Sequence, residues 1–171
     1  FAVRYKSGNV GLGNPFGNKF APLNSGTNVI TGNGEGLNYP TSKLMNMYET
    51  EDSRKSATVE DSYLNKTTNT ITEDYYVTKY LSPVTTVYDG EKDIPILRFS
   101  DVLLMLAEIE NEQKGPTTTA FNYLNQVRNR ANLSSLDITD VANKVEFRLT
   151  LENERMLEFA YENQRFFDLV R

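Results

Sequence analysis

Carboxylates are the residues of this chain whose number and spacing come nearest to catalytic chemistry. Glu152, Glu154 and Glu158 stand close together near the end of the sequence. A glycosidase needs two carboxyl groups across the scissile bond, one of them with a raised pKa. These glutamates fall on a charge-rich helix face, without an apolar pocket that could raise a pKa. We therefore interpret them as part of an ion-pair network and predict no catalytic residue and no enzyme activity.

A second group of oxygen donors is the run Asp89-Gly90-Glu91-Lys92-Asp93. Clustered carboxylates suit a hard cation such as Ca²⁺, but an EF-hand loop ends in a bidentate Glu at its twelfth position, and this run has none. Asp-Gly is, in contrast, a common turn dipeptide. The run predicts a plain turn, and we expect neither a metal site nor a cofactor.

Composition excludes several classes of protein. The 171 residues contain no Cys and no His, which removes disulfides, thiol nucleophiles, the commonest general base and nearly all transition-metal sites. The 18 basic and 23 acidic residues give a net charge of -5, which argues against a nucleic-acid surface. The longest apolar stretch, Val102 to Ala107, is too short to span a bilayer. The chain opens at Phe1 rather than Met, so missing targeting signals say nothing about its location.

The composition of the first 40 residues is typical of loops. They hold eight of the ten glycines, seven asparagines and only four charged residues. Gly and Asn tolerate positive φ, so this composition predicts turns and irregular loops, with a short strand over residues 1–5. A long loop region of this kind is either functional or a flexible end, and the sequence leaves both readings open.

The middle of the chain predicts short elements. Pro40-Thr41-Ser42 precedes a short helix with Thr41 or Ser42 as its N-cap. Residues 56–89 are rich in Thr, Tyr and Val and predict two or three short strands or extended segments.

Helical periodicity begins at Arg98. The first helix should bury one broad apolar face: Phe99, Val102, Leu103, Leu106 and Ile109. Gly115-Pro116 ends it. A second helix, capped within residues 117–119, aligns Ala120, Leu124, Val127 and Ala131. The two form a helical hairpin that is similar to one tetratricopeptide unit, which cannot bury its faces alone.

A third helix is predicted from about Ala142 to Asn163, where a left-handed residue would break it. Its expected inward residues are Val145, Leu149, Met156, Phe159 and Ala160. The charged residues of these helices predict a structural ion-pair network, with Arg155/Glu158 and Glu162/Arg165 as pairs at i, i+3 spacing.

Blocks along almost the whole chain follow one family pattern. In chain order they are Phe1-Ala2-Val3-Arg4-Tyr5 with Gly11-Leu12-Gly13, Pro40-Thr41 with Leu44, Tyr48, Asp52 and Arg54, Thr78-Lys79-Tyr80, Leu97-Arg98-Phe99-Ser100-Asp101-Val102-Leu103-Leu104-Met105-Leu106-Ala107-Glu108, Leu124-Asn125-Gln126-Val127-Arg128-Asn129-Arg130-Ala131, Glu154-Arg155-Met156-Leu157-Glu158-Phe159 and Arg165-Phe166-Phe167-Asp168-Leu169-Val170-Arg171. Together they resemble the SusD/RagB family of outer-membrane nutrient-binding lipoproteins. The family usually has Gly where this chain has Asn163.

The resemblance implies a mainly α, SusD-like fold with a tetratricopeptide-like hairpin and an irregular N-terminal part. Residues 1–171 would be a single segment of a larger domain that stops short of the family's end. Within it, residues 1–95 would carry loops, a short helix and short strands, and residues 96–171 would be helical. The family's lipidated Cys and signal peptide would lie upstream of this chain.

The resemblance also implies a function. It indicates a subunit on the surface of the outer membrane of a Bacteroidota-type bacterium. This subunit would capture oligosaccharides or polysaccharides and pass them uncleaved to a SusC-like TonB-dependent transporter. Some relatives look like peptide binders, so a peptide ligand stays open. A further alternative is a helical scaffold that docks the transporter and has no ligand site.

A sugar site combines an aromatic ring that stacks on a pyranose with amides that bond adjacent hydroxyls. Phe16, Phe20, Asn33 and Tyr39 are the candidate residues for such a site. Other candidate tyrosines more commonly serve cross-strand packing, and these are Tyr63, Tyr75, Tyr76 and Tyr88. A glycan site predicts exposed aromatics within residues 10–90, whereas a scaffold predicts an exposed apolar patch on helices 98–131.

Overall fold

The computed structural model describes residues 1–170, where the chain is mainly helical with a few short strands, as predicted. The helices are α1 (Phe16–Phe20), α2 (Ser42–Met45), α3 (Ser53–Thr58), α4 (Phe99–Lys114), α5 (Thr118–Arg130), α6 (Lys144–Glu158) and α7 (Arg165–Val170), with a 3₁₀ turn at Gly26–Asn28. The strands are β1 (Ala2–Val3), β2 (Val59–Glu60), β3 (Tyr63–Asn65), β4 (Thr70–Thr72), β5 (Tyr76–Val77) and β6 (Ile94–Pro95). No helix within residues 1–170 is both long and apolar enough to cross a membrane.

The strands pair two by two in antiparallel fashion. β1 pairs with β6, β2 with β5, and β3 with β4. Residues 56–89 do form short strands, but the predicted number was wrong: the segment contains four rather than two or three. The extra strands are only two or three residues long, too short for a clear alternation, and the β3–β4 hairpin depends on its turn, where Asn69 takes φ 54°.

The chain divides into two compact units. The helical unit comprises Phe1, residues 46–54 and residue 96 onward, and the loop unit comprises residues 2–45 and 55–95. The loop unit contains the short strands and the irregular segments, and the helical unit contains α4 to α7.

The core of the helical unit lies between α4, α5 and α6. Leu104, Leu124 and Phe147, one from each helix, are fully enclosed. Phe121 meets Phe147 edge to face, with ring centroids 5.1 Å apart. Each such side chain contributes about 1.5–3 kcal/mol by leaving water. The predicted inward face of α5 is confirmed, since Ala120, Leu124, Val127 and Ala131 are all buried.

The predicted helix ends around the α4–α5 turn are also confirmed. The Thr117 hydroxyl accepts a hydrogen bond from the backbone N–H of Ala120 at 3.2 Å, and Gly115 ends α4 at φ 84°. α6 begins near the predicted Ala142, with Asn143 as its N-cap, but it ends at Glu158, before Asn163, which does take the predicted left-handed conformation at φ 61°. In the loop unit, the Thr41 hydroxyl caps α2. Such helix ends depend on capping hydrogen bonds and backbone conformations of residues close together in the chain, so the sequence alone can predict them.

The predicted inward face of α4 was wrong. Leu103 is buried, but Phe99 is 72% exposed, and Val102, Leu106 and Ile109 also face outward. The buried side of α4 consists instead of Ser100, Asp101, Leu103, Leu104, Ala107 and Asn111. Apolar residues occur around much of α4, so periodicity alone does not decide which side packs. The packing of α5 and α6 decides it.

The inward face of α6 was predicted only in part. Phe159 and Ala160, which follow α6, are buried and Met156 is half-buried, but Val145 and Leu149 are exposed. The residues that α6 does bury include Phe147 and Leu151 together with several charged side chains. Because part of the buried face of α6 is charged, the periodicity of apolar residues predicted the wrong side of the helix.

Candidate functional site

The loops of the loop unit are held together by one buried amide. The Asn18 Nδ2 group donates to the carbonyl oxygens of Thr31 at 2.9 Å and Asn33 at 3.2 Å, and its Oδ1 accepts from the backbone N–H of Tyr88 at 2.9 Å. Asn18 is fully enclosed, so these bonds are shielded from water. Of the two readings of the first 40 residues, this network favours an ordered loop region.

A backbone ladder fixes the segment that leads towards Tyr39. The N–H groups of Glu35, Gly36 and Leu37 donate to the carbonyls of Asn18, Ala21 and Lys19 at 2.8–2.9 Å. Gly34 must be glycine, because a Cβ there would overlap the backbone carbonyl of Ala21. Residues 34–37 are therefore locked against α1.

Phe16 and Phe20 come together on α1. Their ring centroids lie 5.2 Å apart, and each ring also meets Tyr80, at 5.8 and 5.7 Å. Tyr80 is buried, while the two phenylalanines are half-buried. The three rings form a small aromatic cluster whose outer part is accessible, an arrangement that could support a sugar ring.

Asn33 and Tyr39, the other two candidates, are both exposed. The Asn33 Oδ1 accepts from the backbone N–H of Gly26 at 3.1 Å, so part of its amide serves the fold. Tyr39 is 40% exposed and lies against Gly36, where a Cβ would come within 2.6 Å of the Tyr39 hydroxyl. The structure thus pairs Phe16 with Phe20 and places Tyr39 beside the locked segment.

The additional candidate tyrosines separate into packing and exposed residues. Tyr63 and Tyr76 meet edge to face at 6.0 Å between β3 and β5, which is a packing role. Tyr88 is 45% exposed, and its hydroxyl donates a hydrogen bond to the Glu35 carboxylate. This bond to Glu35 raises the pKa of Tyr88. Glu35 was missed by sequence reasoning, because a lone carboxylate among glycines carries no pattern.

The run from Asp89 to Asp93 ties two loops together. The Asp89 carboxylate accepts from the backbone N–H groups of Gly8 at 2.7 Å and Asn9 at 2.8 Å. Gly90 forms a β-bridge with Asn14. The turn lies earlier, over residues 86–89, where the Asp89 N–H donates to the Thr86 carbonyl at 3.2 Å, so the predicted turn over Asp89 to Asp93 was wrong and the segment is a loop anchor. No group of three or more potential metal-ligating side chains occurs within residues 1–170.

The carboxylates of the helical unit belong to a buried ion network. Glu158 accepts from Arg98 at 2.7 Å and Arg130 at 2.6 Å, with Arg54 at 3.4 Å. Arg54 also binds Asp52 at 2.7 Å and Glu154 at 2.5 Å.

The predicted partners within this network were wrong. Arg155 pairs with Asp101 at 2.7 Å and Asp168 at 2.8 Å, not with Glu158. Glu162 pairs with Arg98 and Arg165 with Glu152, each at 2.8 Å, so the predicted Glu162/Arg165 pair does not form. Spacing of i, i+3 describes neighbours on an isolated helix, whereas here each charge meets a partner from another element.

This network is structural rather than catalytic. Burial by itself would raise the pKa of Glu158, but the charges of Arg98 and Arg130 outweigh it and lower that pKa. A general acid for glycoside cleavage needs the opposite shift. Arg98 and Arg155 also lie over the Phe159 ring, 4.9 and 5.0 Å from its centroid, so the same charges stabilise the core by cation–π contact.

Comparison with known families gives one match over most of the chain. A family model described as the SusD family matches residues 39–171. SusD-like protein P25 of Formosa agariphila is 29% identical over 153 residues, which is 81% of this chain and 26% of that protein. SusD-like protein P38 of the same organism is 32% identical over 105 residues, 58% of this chain and 21% of that protein. The chain therefore spans about a quarter or less of these relatives.

Solved structures share the fold. A SusD superfamily protein from Parabacteroides distasonis superposes with a TM-score of 0.79 and 23% identity, over 99% of this chain and 38% of that one. Surface glycan-binding protein A from Bacteroides thetaiotaomicron superposes with a TM-score of 0.78 and 21% identity, over 99% of this chain and 41% of that one. At this level of identity the likeness establishes the fold.

Proposed function

Because this chain belongs to the SusD family, we propose that it binds glycans at the bacterial cell surface and does not cleave them. The single observation that carries the proposal is the family match over residues 39–171. A surface glycan-binding protein among the structural relatives supports the same ligand class.

Candidate ligand contacts lie in the loop unit. Phe16, Phe20 and Tyr39 offer aromatic surface, and Asn33 offers an exposed amide on a segment fixed by Asn18. Rigid loops favour binding, because little conformational entropy is lost when a ligand orders them. No cofactor enters the proposal, since stacking and hydrogen bonding suffice to hold a sugar.

We also propose a location and a partner for the protein that carries this chain. The protein that carries this chain is anchored by lipid at the outer membrane and passes its glycan to a SusC-like TonB-dependent transporter. The exposed side of α4, with Phe99, Val102, Leu106 and Ile109, favours a second candidate role as a helical scaffold that docks the transporter. Co-purification of this protein with the transporter distinguishes the two roles. If α4 is the docking scaffold, Leu106→Ser and Ile109→Ser should reduce the amount of transporter recovered; if the chain acts as a ligand carrier, they should not.

Calorimetry with a glycan panel tests the ligand class. The chain should bind at least one oligosaccharide, and Tyr39→Ala should weaken that binding about tenfold, the change expected from about 1.4 kcal/mol of lost stacking. Phe1→Ala is the matched control, since it removes an exposed aromatic ring from the helical unit.

Two results would count against the proposal. Binding of peptides but of no glycan would show that the ligand class is peptide rather than glycan. Glycan binding that Tyr39→Ala, Phe16→Ala and Phe20→Ala all leave unchanged would keep the function and move the site elsewhere.

A further inference from the structure

Tyr88 adopts a backbone conformation that its side chain does not favour. Within residues 1–170, the non-glycine residues at positive φ are six asparagines and two tyrosines, and Tyr88 has φ 64°. Asn is the side chain that tolerates this region, whereas a bulky residue there is strained. The other tyrosine, Tyr161, is half-buried, and burial raises its pKa.

The surrounding loops hold Tyr88 in place. Its backbone N–H donates to the buried Asn18 at 2.9 Å. Val87 packs so closely on Gly32 that a Cβ on Gly32 would lie 2.6 Å from a Val87 methyl group. On the other side, Asp89 is fixed by the N–H groups of Gly8 and Asn9. The strained conformation is thus imposed from both flanks.

Burial does not offset this strain. Almost half of the Tyr88 surface is exposed, so an asparagine at position 88 would fit the backbone better and give up only the packing of the buried part of the ring. The loops require this backbone conformation but not a tyrosine, and a strained side chain kept at an exposed position is a feature of functional sites. The structure therefore presents a fixed aromatic ring to solvent.

The polar partner of this ring is equally fixed. The Tyr88 hydroxyl donates to the Glu35 carboxylate, and the Glu35 backbone N–H donates to the Asn18 carbonyl at 2.9 Å. Tyr39 lies against Gly36, the next residue. Two exposed tyrosines therefore adjoin the dipeptide Glu35-Gly36: Tyr88 bonds the Glu35 carboxylate, and Tyr39 lies beside Gly36.

We propose that Tyr88 and Glu35 form a subsite for a neutral sugar unit, an inference that rests on the proposed glycan-binding function. The Tyr88 ring stacks on the apolar face of the pyranose, and the Glu35 carboxylate accepts hydrogen bonds from two neighbouring hydroxyls. The Glu35 carboxylate gives the subsite negative charge. Uronate and sulfated sugars are therefore repelled, and neutral ones are accepted.

The test compares variants of the full 171-residue chain by calorimetry. The probes are the neutral oligosaccharides maltoheptaose, laminarihexaose and xyloglucan heptasaccharide, and the anionic probes are oligogalacturonate and chondroitin sulfate oligosaccharides. Tyr88→Asn should weaken neutral binding at least tenfold with Tm unchanged or raised, because it removes the ring and relieves the strain. Glu35→Gln should weaken binding of the neutral oligosaccharides several-fold and reduce the ratio of neutral to anionic affinity. Glu60→Gln, which changes an exposed carboxylate of the same unit, should alter neither quantity.

A spectroscopic readout accompanies the titration. The chain contains no Trp, so tyrosine emission is observed directly, and stacking of a sugar on Tyr88 should change it in the wild type but not in Tyr88→Phe/Glu35→Gln. Neutral binding that Tyr88→Asn and Glu35→Gln leave intact would overturn the subsite alone. Tighter binding of the anionic probes would overturn its ligand class. Absence of binding to every glycan would overturn the proposed function and this subsite with it.

Discussion

At the scale of single residues, Glu158 is the carboxylate around which several arginines of the helical unit gather. Its carboxylate lies within 3.4 Å of three guanidinium groups, and its side chain has no exposure to solvent. Arg54 and Arg98 are largely shielded from water, so loss of this charge leaves two shielded guanidinium groups with one anion fewer to balance them, which is costly. The residue is therefore a structural requirement of the helical unit.

We expect Glu158→Gln to lower the free energy of unfolding by about 3–5 kcal/mol at pH 7, because it leaves buried arginines without their shared anion. Urea denaturation followed by circular dichroism measures this loss. Glu152→Gln is the matched control, since its pair with Arg165 is partly exposed and should cost about 1 kcal/mol or less. Equal costs for the two variants would contradict the central role of Glu158.

At the scale of elements, α4 separates a packed side from an exposed apolar side. Leu104 is fully enclosed against α5 and α6, whereas Leu106, two residues later, points outward. Side chains two positions apart on a helix do not share a face. The two leucines therefore provide a direct measure of which side of α4 carries the core.

Leu104→Ala should lower the free energy of unfolding by about 2–5 kcal/mol, because it leaves a cavity between three helices. Leu106→Ala should cost about 1 kcal/mol or less, because its side chain already meets water. Thermal and urea unfolding of both variants, compared with wild type, measure the difference. A larger loss of unfolding free energy for Leu106→Ala than for Leu104→Ala would indicate that α4 buries the face predicted from its periodicity.

The same element explains what sequence reasoning can recover. The ends of α4 and α5 were predictable, since Gly115 and Thr117 act through local hydrogen bonds. The inward side of α4 was not, because apolar residues lie around much of the helix and only its neighbours select a side. The family pattern predicted the fold class, but no pattern marks a single carboxylate such as Glu35.

At the scale of the whole molecule, the charge distribution determines the response to pH. The chain has no His, so no side chain with an ordinary pKa between 5 and 8 changes charge there. Hydrogen bonds from Arg148 and Lys144 lower the pKa of Glu112 to about 2, and the pKa of Glu158 is also lowered from 4.5. A lowered pKa in the folded state gives stability that is present above 4.5 and lost as the pH falls below it.

We therefore expect Tm to be almost constant between about pH 6 and 8 and to fall steadily below about pH 4.5, as carboxylates of the network become protonated. Differential scanning calorimetry across this range measures the profile. Glu158→Gln should show a shallower decline in acid, because one titrating group is gone. A wild-type Tm that rises on acidification would contradict the assignment of these pairs as stabilising.

Arginine supplies the cations of the buried network: Arg54, Arg98, Arg128, Arg130 and Arg155. Guanidinium groups do not react with the succinimidyl esters that acylate lysine, since they stay protonated at the pH of such coupling. Amine-directed immobilisation or fluorescent labelling would therefore modify lysines outside this network and leave the helical core intact. A sensor surface prepared in this way should retain the folded helical unit, which makes the chain suitable for surface-based measurement of weak carbohydrate binding.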